Sequence, residues 1–343
     1  MTVTTTPTSR YCALAVASLV LGLAALSPLL IITGLPALLI GYFSLKRINL
    51  SDGRLKGRGL SIAGMVLGLV GCTVAIVFLA ARILSDVREG ARGAECQNNL
   101  RRIGIVMNQY YDQNGKYPNG TVAFNPDLAP EERLSWIAAL LPFPEFSPPA
   151  ASKEGAPRAN VERGVLDKLD FRQAWDAESN REATTTPLPF CLCPCTLDFV
   201  AARRGAWTNY VGIAGVGRDA PLIPDFHPPL LVPRDPNAGM FGYDRFTTRA
   251  DFTGGLTRTL MVVETSRDLG PWAQGGPSTV RGIDPDDNPP IGPGRPFGGL
   301  HPGGVHVLMA GGSVEKMRND TKPELWQDLA RLSRANVQAP EPP

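Results

Sequence analysis

The chain has 343 residues, a length typical of about two domains. Its formal net charge of +2 provides no dominant basic surface, so nucleic-acid partners are not expected. Apolar residues are concentrated between Tyr11 and Leu84, and the remainder is rich in proline, glycine and aspartate. We therefore expect a membrane segment followed by a domain of short strands joined by turns.

Two apolar stretches dominate the first part. The first, Tyr11 to Leu45, contains Pro28 and predicts either one tilted helix broken near that proline or a hairpin of two short helices. The second, Leu60 to Ala81, has no charge and the length of one membrane span. The basic loop from Lys46 to Arg58 should stay in the cytoplasm, so the chain after the second stretch should lie outside. Small residues favour packing of the two stretches against each other, namely Gly64, Gly68 and Gly71.

The helical pattern continues beyond the membrane. Apolar positions recur at three-to-four spacing in Leu100, Ile103, Met107 and Tyr110. Asn114-Gly115 is a helix stop, so one helix of roughly 80 Å is predicted at 1.5 Å per residue from Leu60. Its second half should pack one face on a globular domain.

The domain that follows shows strand and turn patterns. The predicted strands are Asn209 to Ile213, Thr259 to Glu264, Val305 to Met309 and Ser313 to Met317. The last two are joined by a hairpin turn in which Gly311 and Gly312 are both expected to have positive φ. Short helices are predicted at Leu134 to Leu141 and Glu324 to Leu332, and long loops at Pro142 to Pro157, Ala220 to Asn237 and Gly282 to Gly298.

The predicted organisation has five parts. They are an N-terminal tail (1–10), a membrane domain (11–83), an amphipathic stalk helix (84–118), an extracytoplasmic β-rich domain (119–332) and a disordered tail (333–343).

Several ordered motifs carry a resemblance to a known family. They are Cys96 to Gly104, Gly115 to Pro118, Leu134 to Pro142, Ala174 to Asn180, Cys193-Pro194, Thr208 to Gly212, Phe252 to Thr259 with Glu264, and His301 to Gly312. This set resembles a bacterial pseudopilin-like family of unknown function, with a prepilin-type helix and a C-terminal H-x9-D-G motif. The resemblance implies an α+β fold in which a long helix packs on an antiparallel sheet. His301 and Gly312 match the motif, whereas Gly311 stands where the family usually has aspartate.

Residues Leu19 to Gly64 resemble a second, small family of bacterial membrane domains of unknown function. Neither resemblance implies a biochemical activity.

Four cysteines should lie outside the cytoplasm, where disulfides persist. Cys191, Cys193 and Cys195 are three close thiols, whereas a closed zinc site needs four ligands, so disulfide pairing is favoured over metal. The resemblance implies that Cys96 pairs with Cys193. Cys191 and Cys195 then remain as competitors for the same partner.

Other polar residues have less specific patterns. His301 and His306 flank a glycine-rich turn without a nucleophile motif, so an ordering hydrogen bond is expected from His301 rather than catalysis. Asp284, Asp286 and Asp287 lie in an acidic loop without EF-hand spacing. No cofactor is predicted, and calcium at these aspartates is kept as an alternative.

The predicted function is therefore a structural or interaction protein and not an enzyme. It would be anchored in the bacterial cytoplasmic membrane by a hairpin or several passes, with partners in the lipid bilayer and among envelope or type II secretion-like proteins. Two alternatives stay open, namely a binding module for calcium, glycan or peptide, and a hydrolase.

The last expectation concerns proteolytic cleavage of the chain between Gly59 and Leu60. Pilins are cut after a glycine that follows a basic leader, and Gly59 followed by Leu60 fits that pattern. Pilins also carry glutamate at the fifth position of the new chain, where this sequence has Gly64. A carboxylate in the membrane is kept only for a partner, so its loss predicts that the chain is not cleaved and does not polymerise as a pilus subunit.

Overall fold

The structure is a computed structural model that describes residues 10–25, 30–52, 54–122, 124–125, 127–146, 159–196, 199–227 and 234–333. The tails predicted at the two ends lie outside the described residues except for positions 10 and 333, and so does Pro28. The chain forms two compact units, residues 1–88 and 89–343. One long helix, α3 (Arg58–Asn114), runs through the boundary between them.

The first unit contains two further helices, α1 (Ala13–Ala24) and α2 (Leu30–Asn49). They are antiparallel, because Ser18 Oγ donates to the Ala37 carbonyl at 2.9 Å and Ser44 Oγ donates to Cys12 Sγ at 3.6 Å. Of the two arrangements predicted for this stretch, the hairpin is the one found. Pro36 lies inside α2 rather than ending it.

The start of α3 packs against this hairpin through small residues. Ser44 and Ser61 share a hydrogen bond of 2.8 Å. A Cβ added at Gly64 would lie 2.5 Å from the backbone of Ser18, and one added at Gly68 would lie 2.8 Å from the Gly34 carbonyl oxygen. The predicted packing of the two apolar stretches is confirmed, and glycine is required because the helix backbones touch.

The first unit has small and polar residues inside and large apolar residues outside. Ala15, Ser18, Ala37, Ser44 and Ser61 are buried. The exposed side chains include Val16, Val20, Leu23, Leu35, Leu39, Phe43, Val66, Leu69, Ile76, Val77, Phe78 and Leu79. This distribution is opposite to that of a protein core in water. Among the described helices, α3 has the length and composition to cross a membrane, and α1 is a shorter apolar helix.

The basic residues of the first unit are gathered at one end. A short strand β1 (Arg10–Tyr11) pairs in parallel with β2 (Leu55–Lys56), which brings the chain before α1 beside the chain before α3. Lys46 and Arg47 lie in the last turn of α2, and Arg58 begins α3. The antiparallel hairpin therefore places these cations at the same end as Arg10.

The second unit is built on a sheet of five strands. They are β3 (Tyr210–Val216), β4 (Leu260–Glu264), β5 (Val280–Ile283), β6 (Gly304–Met309) and β7 (Val314–Arg318), in the order β5-β3-β4-β6-β7. The four predicted strands pair antiparallel, and the α+β fold class is confirmed. The sheet is not wholly antiparallel, because β5 joins β3 in parallel. That strand has only four residues, including Arg281 and Gly282, so its pattern is weak.

Side-chain alternation divides the sheet into two faces. Leu100, Ile103 and Met107 of α3 share one core cluster with Val262 and Leu308. On the other face, α8 (Pro323–Ala330) buries Trp326 in a cluster made by the intervening strand residues, which are Val211, Ile213, Val263, Val305 and Val307. The predicted amphipathic half of the long helix therefore covers one face of the sheet.

Short helices complete the second unit. They are α4 (Trp136–Leu140), α5 (Ala159–Leu166), α6 (Arg181–Thr184) and α7 (Phe199–Arg204), with 3-10 turns at Pro189–Cys191, Ala220–Leu222, Arg249–Asp251, Leu256–Arg258 and Gly276–Ser278. Helices α4 and α8 lie where helices were predicted, and α5, α6 and α7 were not predicted.

Candidate functional site

A buried polar cluster lies between α3 and one end of the sheet. In the register of β4 and β6, Val263 faces Val307, so Glu264 and His306 are the next opposed pair. Glu264 is two residues from Val262, and His306 is two residues from Leu308. Because side chains alternate along a strand, both lie on the same face as those two residues, which is the face covered by α3. The side chain of Glu264 is fully buried. A carboxylate at this depth needs charged or hydrogen-bonding partners.

His306 supplies two of those partners. Its backbone N–H and its ring Nδ1 lie 3.1 and 3.0 Å from Glu264 Oε2. The other ring nitrogen, Nε2, lies 3.1 Å from the amide nitrogen of Gln97 on α3. Gln97 is the donor in that pair, so His306 carries its proton on Nδ1 and donates it to Glu264.

His301 completes the cluster. Its Nδ1 lies 3.1 Å from Glu89 Oε1 on α3, and its Nε2 lies 3.7 Å from Glu264 Oε2. Burial alone would lower the pKa of His301, but Glu264 and Glu89 outweigh it and raise that pKa above its ordinary value. Burial alone would raise the pKa of Glu264, but the two imidazoles outweigh it and lower that pKa. The two carboxylates therefore favour the protonated form of His301.

A disulfide and a free thiol lie beside His301 and Glu89. Cys96 of α3 forms a disulfide with Cys193, the pairing that the family resemblance implied, with a Cα–Cα distance of 5.4 Å. Cys193 Sγ lies 3.4 Å from His301 Nε2. The Cys195 thiol is free and lies 3.6 Å from Glu89 Oε2. Burial and the adjacent Glu89 raise the pKa of Cys195 to about 11, so the thiol stays protonated at neutral pH and is a poor nucleophile.

Over residues 85–150 and 161–286 the chain matches the family described as "Protein of unknown function (DUF1559)". These two segments make up more than half of the sequence. The chain belongs to the DUF1559 family. Residues 14–78 match a second description, "Domain of unknown function (DUF4190)". No curated protein and no solved structure matches the chain.

The DUF1559 match ends before the predicted H-x9-D-G segment. Within that segment, Gly311 and Gly312 are in the loop between β6 and β7 of this DUF1559 protein. Only Gly312 has positive φ, at 90°, and its N–H donates to the Met309 carbonyl at 2.8 Å. The expectation of two positive-φ glycines was wrong, because the connection between β6 and β7, residues 310–313, is longer than a two-residue turn and has a single left-handed position.

The other predicted residues of this DUF1559 protein lie apart from the cluster. Asp284 pairs with Arg218 through Oδ2 and accepts the N–H of Asp286 through Oδ1 at 3.0 Å, while the N–H of Asp287 donates to the Asp284 carbonyl. These aspartates do not form a group of close ligand atoms in the described part of the chain. Cys191 is a free, buried cysteine.

Two members of the cluster were not predicted as site residues. Glu89 was interpreted as one of several charges on the stalk, and Glu264 as a family position only. The signal for Glu264 is its place at the end of the apolar strand Leu260–Glu264, where alternation puts it on a buried face.

Proposed function

We propose that this DUF1559 protein is anchored in the cytoplasmic membrane by its first unit, and that its second unit has a structural or interaction role outside the cytoplasm. The observation that carries the proposal is the reversed distribution of side chains in the first unit. Among its described residues, those that are buried are mainly small, and many of the large Val, Leu, Ile and Phe side chains are exposed. Lipid chains solvate such a surface, and small residues are the usual contacts between helices in a bilayer.

The orientation rests on the charges. Arg10, Lys46, Arg47, Lys56 and Arg58 lie at one end of the first unit. Short basic segments stay in the cytoplasm. α3 would then leave the cytoplasm after residue 58, which puts Cys96 and Cys193 in a compartment where their disulfide persists.

A structural role agrees with the way the second unit is held together. The disulfide ties α3 to the segment before β3, and Glu89 on α3 pairs with His301. Both links fix the long helix on the sheet domain. The high pKa of Cys195 disfavours a covalent mechanism in which this thiol would be the nucleophile and the adjacent His301 its base. We propose that the role is interaction with other envelope proteins.

Dual topology reporters test the anchor. A reporter active only in the cytoplasm and one active only outside are each inserted after Ser51 and after Pro343 of the full chain. We expect cytoplasmic activity at Ser51 and outside activity at Pro343. The opposite pattern, or cytoplasmic activity at both positions, would contradict the orientation.

Affinity purification of the full chain from detergent-solubilised membranes, after cross-linking in cells, tests the interaction role. We expect one or a few envelope proteins to be recovered in amounts comparable to the chain itself. Recovery of the chain alone, as a monomer, would refute an interaction role while leaving the anchor intact.

A further inference from the structure

Three different metal-binding side chains converge beside the disulfide of the second unit. Glu89 comes from α3, Cys195 from the segment that follows the disulfide, and His301 from the segment before β6. Each can place one ligand atom so that all three lie within 4.8 Å of one another. We propose that Glu89, Cys195 and His301 bind a zinc-type divalent ion, with a water molecule in the fourth position.

The separations fit a tetrahedral ion. With bonds of about 2.0–2.3 Å to zinc, a nitrogen and an oxygen ligand lie about 3.3 Å apart, and a sulfur and an oxygen ligand about 3.5 Å apart. His301 Nδ1 lies 3.1 Å from Glu89 Oε1, and Cys195 Sγ lies 3.7 Å from the same oxygen and 3.6 Å from Oε2. Small side-chain movements are therefore enough to close the three ligands on an ion.

The chemistry of the set favours zinc over calcium. Calcium takes six or more oxygen ligands, whereas zinc accepts sulfur, imidazole nitrogen and carboxylate together. A thiolate at Cys195 and the carboxylate of Glu89 would neutralise the two charges of the ion. Binding would displace the Cys195 thiol proton and the proton on His301 Nδ1, because the ligand atoms of cysteine and histidine must be deprotonated to bind a metal.

The surroundings of His301 provide the second, independent observation. A metal-binding histidine usually donates its other ring N–H to a carboxylate, which fixes the ring. Here Nε2 of His301 lies 3.7 Å from Glu264 Oε2, just beyond hydrogen-bonding distance, and 3.4 Å from Cys193 Sγ. Glu264 is itself held by His306 at 3.0 Å, and its Oε1 atom is buried without a hydrogen-bond partner among the described residues. The Glu264 carboxylate thus keeps one oxygen, Oε1, that is free to accept a further N–H, and a small movement of the His301 ring would let Nε2 donate to this carboxylate.

Such an ion would clamp α3 to the sheet domain. Glu89 is seven residues before Cys96 on the same helix, so the ion and the disulfide would fasten two successive regions of the helix. The ion would therefore have a structural role, which goes beyond the membrane anchor and does not depend on it.

Cobalt titration of the full chain in detergent micelles tests the site. The protein is stripped with EDTA and kept anaerobic without reductant, so that the disulfide stays intact. We expect one Co²⁺ per chain with thiolate-to-cobalt absorption, displaced by Zn²⁺. Zinc should also raise the Tm of the wild type, because an ion that binds only the folded state stabilises it.

Matched variants locate the ligands. Cys195→Ser should abolish the thiolate absorption, and Glu89→Gln should weaken cobalt binding at least tenfold. Glu264→Gln should retain the absorption but weaken binding roughly 10–100-fold, as loss of a supporting carboxylate does. The controls Cys72→Ser and Asp86→Asn change a free thiol and a carboxylate of α3 that are outside the proposed site, and they should bind as the wild type does.

Absence of thiolate absorption in the wild type would overturn the proposal, since the distances also fit a hydrogen-bonded triad without metal. Absorption that persists in Cys195→Ser would place the ion elsewhere and would overturn it equally. Peptide mapping of the Cys96–Cys193 disulfide in each variant verifies that the second unit has folded.

Discussion

Substitution of Gly64 tests the close packing of α1 on α3. A Cβ there would lie 2.4 Å from Ser18 Oγ and 2.5 Å from Ser18 backbone atoms, well inside van der Waals contact. Helices α1 and α3 would have to separate by about 1 Å, and overpacking of this kind costs about 1–3 kcal/mol. Gly59, five residues earlier on α3, has no atom within 4 Å of its added Cβ. Gly59→Ala should therefore cause no overpacking, and any gain in helix propensity, up to about 1 kcal/mol, applies to both substitutions.

The two substitutions should thus differ by the overpacking cost, about 1–3 kcal/mol, in the free energy of opening of the first unit. Cys12 reports that opening, because it is buried and contacts Ser44. Its rate of alkylation by a membrane-permeant maleimide, followed by mass spectrometry, measures the population of the open state. At 1.4 kcal/mol per factor of ten, Gly64→Ala should label at least about fivefold faster than Gly59→Ala.

Equal labelling of Cys12 in both variants would refute the close packing of α1 on α3.

The packing at Gly64 also bears on proteolytic processing of the chain. Residue Gly64 occupies the place of the pilin glutamate, and the backbone of Ser18 leaves no room there for a side chain. We therefore expect the full-length chain, not one beginning at Leu60, in membranes.

Three further predictions concern the second unit. Cys96→Ser with Cys193→Ser should lower its free energy of unfolding by up to about 4–5 kcal/mol, because the disulfide closes a loop with a sequence separation of 97, as measured by urea unfolding of the full chain in detergent. Gly312→Ala should be about 1–2 kcal/mol less stable than Gly311→Ala in the same assay, since only Gly312 is left-handed. Asp284→Asn should lower the Tm at pH 7 but progressively less below about pH 4, because the N–H of Asp286 and the adjacent guanidinium lower the pKa of Asp284 and that stabilisation is lost on protonation.

Each of these has a contrary outcome. An unchanged urea midpoint in the double cysteine variant would mean that the disulfide does not constrain the chain. Equal stability of the two glycine variants would contradict the single left-handed residue in the β6–β7 loop. A Tm difference for Asp284→Asn that is the same at pH 3 and pH 7 would exclude its carboxylate charge as the cause.

The elements with strong periodicity could be predicted from the sequence. The continuous helix was predicted from Leu60 and is found over Arg58–Asn114, and four strands lie within a few residues of their predicted bounds. β5 was missed because its four residues include Arg281 and Gly282, which break the apolar pattern. Its parallel pairing depends on tertiary contacts with β3 that no local pattern reveals.

The polar cluster could be predicted only in part. The resemblance pointed to His301 and to the Cys96–Cys193 pair, since those residues stand in motifs. Glu89 and His301 are 212 residues apart, so their contact follows from the packing of α3 on the sheet and not from any spacing. Glu89 is also one of several charges on its part of α3, and nothing local distinguishes it from Asp86.

Protease treatment of intact spheroplasts tests the central claim most directly. The full chain carries one tag before Met1 and another after Pro343, and the fragments are separated under reducing conditions. We expect external protease to remove the C-terminal tag and leave a membrane-bound fragment that has the N-terminal tag and covers about the first unit. Protection of both tags until the membrane is permeabilised, or recovery of the full chain in the soluble fraction, would contradict a membrane-anchored protein with its second unit outside the cytoplasm.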